Sequence, residues 1–475
     1  MATALPRSAP VEQQVDPTGV LALLDALDAR PDIEMHSLML VRHGHVVAEG
    51  WWRPYTADRP HRLYSLSKSF TSTAAGFAAA DGFLDLDDTV VSHFPELDAD
   101  ITDPGSRSMR IRHIAAMASG HLAETFQRAV ELDPHEPVRG FLEIPPDKAP
   151  GSIFAYNQPC TYTLGAIVQR KANAPLTRYL RPRLFDPLGV GVVGWETLAG
   201  RERSFTGLHA RTEDVAKLGQ LYLQRGRWDN VQLLPESWVA QATSSQVDNS
   251  NQTNPDWRQG YGFQFWMSRH GYRGDGAFGQ FCLILPEHDA VIATTAATLD
   301  MQAVLDAIWA HVLPAFDRSS ADARAQDELA SRLAALELPA YRPASTEPAD
   351  WQEWLERPFA VATTGEADVP VTSVEVRRGR AGLEMTLSEG SDALTFAVGT
   401  RGWSVSTPAI AEGKAIAVAA AGGWSDQKTL RLEVIFLETP HRLDLVCTLD
   451  DRCARGAWRL PPLGGARLRE LRNPI

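Results

Sequence analysis

The chain has 475 residues, room for two or three domains, and a composition of 44% hydrophobic, 8% aromatic and 22% charged residues, which is that of an ordinary globular protein rather than a disordered or collagen-like one. Lys and Arg number 46 against 59 for Asp and Glu, a net charge of −13 that argues against a nucleic-acid groove. No apolar run approaches the ~18 residues of a spanning helix, so neither nucleic acid nor a membrane is an expected partner.

The N-terminal stretch MATALPRSAPVEQQVD has no basic segment followed by an apolar core, and cytoplasmic residence is the expectation. Residues 18–30 put Val20, Leu21, Leu24 and Leu27 on one stripe and predict a helix. From Ser37, SLMLVRHGHVVAEGWW alternates around Arg42-His43-Gly44-His45 and predicts a β-hairpin. Tyr64 to Ala80, rich in Ser, Thr and Ala, reads as a tightly packed helix stopped by Asp81-Gly82. Helical patterns with Pro and Gly loops follow to about residue 240, including 111–118, 162–171 and 212–224. Strands are expected at 260–267 (GYGFQFWM) and as a hairpin over 281–295, then a helix at 301–312. A polar amphipathic helix and the stretch LPAYRPASTEP mark a boundary. Beyond it, eight short alternating runs, from TSVEVRR to ARGAWRL, describe an antiparallel sandwich or small barrel.

The four cysteines, Cys160, Cys282, Cys447 and Cys453, have no CxxC spacing and read as reduced structural thiols. Several motifs fail on context. There is no GxSxG. Gly274 to Gly279 fits GxGxxG but runs into the strand CLILP, leaving no helix N-terminus for a pyrophosphate. His43-x-His45 lies on a turn without a carboxylate at ligand spacing, so no metal is expected, and no cofactor either.

Ser65-Leu66-Ser67-Lys68 remains. Positions i and i+3 share a helix face, and the helix start puts free N–H groups beside the serine. Burial among Phe70, Phe77 and the alanines disfavours the ammonium of Lys68, so its neutral amine can take the Ser65 proton. Only six of the 46 basic residues are lysines, which makes one in this setting more telling. Tyr156, in Phe154-Ala155-Tyr156-Asn157-Gln158, lies on a turn before an apolar helix. The same tyrosine could equally be a core residue satisfied by a carbonyl. The Gly-rich strand Gly274 to Gln280 either lets a substrate lie against backbone or is a bulged edge.

In order and spacing these segments resemble the serine β-lactamase and penicillin-binding protein superfamily, nearest its class C β-lactamase and esterase branch. The resemblance covers roughly residues 35–315. YSLSKSFTS, IRHIAAMASGH, FAYNQPCTYTLGAIVQR, RPRLFDPLGV, GLHARTEDVAKLGQLYL and GDGAFGQFCLILPEHDAVIA carry it. It implies an α+β fold, an antiparallel sheet flanked by helices with a helical insert. It also implies Ser65 as nucleophile, Lys68 as its base, Tyr156 as a second proton carrier, and an oxyanion hole from the N–H groups of Ser65 and Ala277. Two departures stand out. The family's Tyr-x-Asn reads Tyr156-Asn157-Gln158, so Asn157 or Gln158 must supply the amide. The Lys-Thr-Gly or His-x-Gly triplet reads Gly274-Asp275-Gly276, which removes the cation that meets a β-lactam carboxylate, with Arg273 as the one substitute.

The expected organisation is a catalytic domain over 1–316, a helical linker over 317–345 and a C-terminal all-β domain over 346–475, lipocalin-like as in some relatives. That last domain would shape one wall of the cleft or support a homodimer. The expected activity is acyl transfer through acyl-Ser65 from a small ester or amide to water, or, in a biosynthetic transacylase, to an amine or alcohol. A non-catalytic ligand-binding protein on the same fold is the rival, which retention of Ser65, Lys68 and Tyr156 together opposes. Gly274 leaves space beside Ala277, with His121, Trp266, Asp275 and Phe278 as its candidate lining. The missing cation predicts neutral esters or amides over penicillins.

Overall fold

In the computed structural model, residues 4–318, 323–344, 347–348, 351–363, 369–379, 382–410 and 413–475 are described. They fall into two units. One takes in Met1–Gly50 and Leu63–Ala334 with the terminal Ile475, the other Trp51–Arg62 and Ala335–Pro474. The polar amphipathic helix expected in a linker, Ala323–Ala334, is counted with the first unit.

The first unit opens with helix α1 (Pro17–Asp28), whose N-cap Asp16 accepts from Thr18 N. The hairpin follows as β1 (Glu34–Arg42) and β2 (His45–Trp51). A 3-10 turn, Tyr64–Leu66, runs straight into α2 (Ser67–Ala80), which is buried from Ser67 to Ala78. Its Ser and Thr side chains, poor helix formers in isolation, bind surrounding chain. Ser67 Oγ donates to Tyr64 O and accepts from Leu208 N, Ser69 Oγ donates to Gln264 O and Thr71 Oγ1 to Ser204 O. Then come α3 (Gln158–Ala172) and α4 (Thr212–Leu223). Strands β3 (Trp266–Met267), β4 (Tyr272–Gly276), β5 (Gln280–Leu285) and β6 (Ala290–Ala297) and helix α5 (Met301–His311) complete the sequence. The six strands form one sheet in the order β3-β4-β5-β6-β1-β2. Both chain ends therefore build it, since β1 pairs antiparallel with β6 from Glu34↔Ala297 to Arg42↔Ala290.

The expected strand over 260–267 is corrected to its last two residues. Gly260 and Gln264 take positive φ (+106° and +64°), which breaks the extended run, and the Gln264 amide donates to the carbonyls of Ile114 and Ala115. All four cysteines are free thiols, three of them buried.

The second unit holds a nine-stranded sheet. Its strands are β7 (Phe359–Thr363), β8 (Ser373–Gly379), β9 (Gly382–Glu389), β10 (Asp392–Ala397), β11 (Ser404–Ser406), β12 (Val418–Trp424), β13 (Thr429–Phe436), β14 (Arg442–Thr448) and β15 (Cys453–Trp458). The order is β10-β9-β8-β7-β15-β14-β13-β12-β11. The eight expected runs correspond to β8–β15. The ninth strand, β7, pairs parallel with β15, Ala360↔Cys453 to Thr363↔Gly456. Past β10, Gly399 N donates to Ala420 O and Gly399 O accepts from Gly422 N, so the sheet nearly closes on itself around a core that includes Trp354, Phe359, Trp424 and Phe436. Among the described residues, no helix is long and apolar enough to cross a membrane.

Candidate active site

Ser65 sits on the 3-10 turn that feeds α2, and Lys68 lies one turn further on. Lys68 is 1% exposed, and Nζ has three partners: Ser65 Oγ at 3.0 Å, Gln158 Oε1 at 2.6 Å and the Phe205 carbonyl at 2.8 Å. Burial drives its ammonium down to about 7, against the opposing pull of the Glu124 and Asp275 carboxylates. A lysine at that point is half neutral near neutral pH, and its amine lies within reach of the serine proton.

Tyr156 stands on the other side. Burial pushes its ionisation well above the ordinary tyrosine value, with the Ser65 hydroxyl opposing the shift. The ring stacks on Trp266 (5.3 Å, 27°), meets Tyr261 edge-on and lies 4.8 Å from Lys68 Nζ. Of the two candidate amides, Gln158 is the one that meets Lys68. Asn157 is buried and turned the other way, its Oδ1 accepting from Thr125 N and Oγ1 at 2.9 and 3.0 Å.

The glycines of β4 have a different use from the one expected. A Cβ at Gly274 would lie 2.3 Å from Leu66 Cδ1 and 2.7 Å from Ser69 Oγ, and one at Gly276 would lie 2.1 Å from Leu63 O. They let β4 press against the Ser65 turn and α2, and Gly274 leaves no open space. The same approach puts Gly276, which precedes Ala277, against Leu66, which follows Ser65, a Cβ there lying 3.1 Å from Leu66 N. Tyr64 and Phe278, the neighbours of Ser65 and Ala277, have positive φ (+49° and +71°) and their rings meet edge-on at 5.2 Å.

Arg273, the expected substitute for the missing cation, is held by neighbouring groups but keeps one buried nitrogen, Nη2, without a hydrogen-bond partner among the described residues. It is fully buried, with Nε on Asp275 Oδ2 at 2.9 Å and Nη1 on Asp256 O at 2.7 Å, and its guanidinium lies 4.3 Å from the Trp257 ring centre. Burial raises the Asp275 carboxyl to about 6, opposed chiefly by Arg273. Asp275 is therefore held as a buried partner of Arg273. His121 is likewise buried, with Nδ1 on Ser119 Oγ and Nε2 on Ile144 O, and serves packing.

Two groups at the site had no signal in the sequence. The Phe205 carbonyl reaches Lys68 because the chain reverses at Ser204 (φ +59°), with nothing in the residue types to mark it. Glu124 is exposed, and its Oε1 accepts from Phe126 N and Gln158 N, tying the surface segment around it to the residue that holds Lys68.

A family model described as beta-lactamase matches residues 21–315, more than half of the chain. A beta-lactamase of Yersinia enterocolitica is 26% identical over 29% of this chain, and the chain spans only 34% of that relative's length. The 6-aminohexanoate-dimer hydrolase of Paenarthrobacter ureafaciens is 22% identical over 60% of this chain and 80% of its own. Among solved structures, EstCE1, a hydrolase with promiscuous acyltransferase activity, matches with a TM-score of 0.51 at 17% identity, over 63% of this chain and 100% of its own.

Proposed function

The chain belongs to the beta-lactamase family, and from that premise we propose that it is a serine-dependent acyl-transfer enzyme acting on small neutral esters or amides. The observation that carries this reading is the 3.0 Å contact between Ser65 Oγ and a buried Lys68 whose ammonium is driven down to about 7. Ser65 Oγ attacks the substrate carbonyl carbon as neutral Lys68 takes its proton. The backbone N–H groups of Ser65 and Ala277 receive the oxyanion. Lys68 and Tyr156 pass the proton to the leaving alcohol or amine as the carbonyl–heteroatom bond breaks. Water, or an amine or alcohol, then attacks the acyl-Ser65 carbonyl, surrendering its proton to the same pair, and Ser65 leaves with a proton restored.

Pairing of Arg273 with Asp275 supports the choice of neutral substrates, because a β-lactam carboxylate would have to compete with Asp275 for that buried guanidinium. The names of the dimer hydrolase and of the hydrolase with acyltransferase activity support both kinds of acceptor. The test is incubation with p-nitrophenyl acetate, followed by intact mass and peptide mapping. One adduct at Ser65, absent in Ser65→Ala, is expected. An unmodified Ser65, with activity kept in the alanine variant, would overturn the mechanism. A cephalosporin turned over faster than every neutral ester would overturn the substrate class.

A further inference from the structure

The turn Ala277-Phe278-Gly279 joins β4 to β5, and Ala277 carries one of the two N–H groups proposed to receive the oxyanion. Gln280 opens β5 directly opposite Gly276, the last residue before the turn. It is fully buried, as are the apolar residues Phe281 to Leu285 that follow it. A leucine or valine at 280 would continue that run, yet the position holds an amide.

That amide bonds only to main chain. Nε2 donates to Ala296 O at 2.7 Å and Oε1 accepts from Ala296 N at 3.2 Å, which docks the side chain on β6 through both polar groups of one residue. The other Nε2 proton goes to Ala277 O at 3.0 Å. The remaining carbonyls of the turn are held as well, Phe278 O by Thr298 N at 3.2 Å and Gly279 O by Thr294 Oγ1 at 2.9 Å. Phe278 keeps a positive φ of +71°, and a bulky residue stays there only where its surroundings hold it. Gln280 is the group of this set that bonds Ala277 itself. An oxyanion donor is effective when it is fixed before the charge develops, because a donor that must turn at that moment costs reorganisation. Register with Gln280 fixes Gly276 on one side of the Ala277 N–H, and the Gln280 amide fixes the Ala277 carbonyl on the other.

We propose, on the acyl-transfer reading above, that Gln280 is a positioning residue for the oxyanion hole: its amide ties Ala277 O to β6 and so keeps the Ala277 N–H aimed at the developing oxyanion. The test is the rate of Ser65 acylation by p-nitrophenyl acetate, followed as the first burst of p-nitrophenol over a range of ester concentrations. It compares the full chain with Gln280→Leu, which removes every bond of the amide, and with Gln280→Glu, which keeps an oxygen for Ala296 N and removes both donors. In both variants the maximal rate falls about ten- to a hundredfold, while the half-saturating concentration stays within about twofold of the parent, because a displaced oxyanion donor is missed in the transition state and not in the ground state. In Gln280→Leu the rising limb of the pH profile, which follows Lys68, stays where the parent has it, a separation that a general loosening of the site would not preserve. Should Gln280→Leu fail to fold by circular dichroism, Gln280→Met, which matches the amide in length, carries the same expectation. A maximal rate within about twofold of the parent in a folded variant, or a loss confined to the half-saturating concentration, would overturn the proposal and leave Gln280 a tie between strands. Parental Ser65 left unlabelled would remove the acyl-transfer reading and this role with it, whereas labelling in the parent with unchanged rates in the variants removes this role alone.

Discussion

At the scale of single residues, the proposed acyl transfer turns on the charge of Lys68. Its ammonium titrates near 7, so kcat/KM for a neutral ester rises with pH, about tenfold per unit below that point, and levels above it as the amine becomes free to accept the Ser65 proton. The Glu124 carboxylate favours the charged form, so its removal lowers the Lys68 value further. Glu124→Gln keeps an oxygen for Phe126 N and Gln158 N, and is expected to shift the rising limb to lower pH in a low-salt pH–rate profile. An unmoved limb would show that solvent screens the exposed carboxylate from the lysine. Lys68→Ala and Tyr156→Phe should each lower kcat on the order of 10³-fold. The double variant should fall little further, because the two residues move one proton. A Tyr156→Phe variant that folds and keeps parental kcat would make Tyr156 a packing residue beside Trp266.

At the scale of elements, β4 and α2 are fitted through two glycines, and the two differ in what they meet. A Cβ at Gly274 strikes the ends of side chains, Leu66 Cδ1 and Ser69 Oγ, which can give way. A Cβ at Gly276 strikes the Leu63 carbonyl, which carries the Ser65 turn with it. Gly274→Ala is therefore expected to cost about 1–3 kcal/mol in denaturant melts with acylation retained. Gly276→Ala should cost more and also slow Ser65 acylation. The elements themselves were largely legible: the spacing of apolar residue types located α1, α4, α5 and the hairpins, and small residues with the Asp81-Gly82 stop located α2, to within a few residues, although α2, β1, β5 and β6 are buried along almost their whole length. The strand over 260–267 was misread because two residues with positive φ interrupt an apolar run that looks continuous. The parallel strand β7 escaped because its pairing partner, β15, lies some ninety residues on. At the site, Ser65, Lys68 and Tyr156 were legible because they sit at motif spacing. The choice of Gln158 over Asn157, the Arg273–Asp275 pair and the Phe205 carbonyl were not, since each depends on how distant segments pack.

At the scale of the molecule, the chain enters the β unit twice. Residues 51–62 leave the first unit after β2, and there Arg53 N donates to Leu336 O, Leu338 N to Arg53 O, Tyr55 OH to Thr439 O and Arg62 N to Glu438 O. Two residues later the chain has become the Tyr64–Leu66 turn that bears Ser65, the proposed nucleophile. A truncation after Ala334 is expected to leave 51–62 without these partners. Brief trypsin treatment should then cut after Arg62, which is 7% exposed in the full chain, and Ser65 labelling should fall with it. Full labelling and an uncut Arg62 in the truncate would show that the segment holds its place unaided. No single cut in the polypeptide can release the β unit whole, because any one break leaves a stretch of it stranded on the other side. Replacing the β unit therefore calls for exchanging two segments of the chain, 51–62 and 335–474, rather than one.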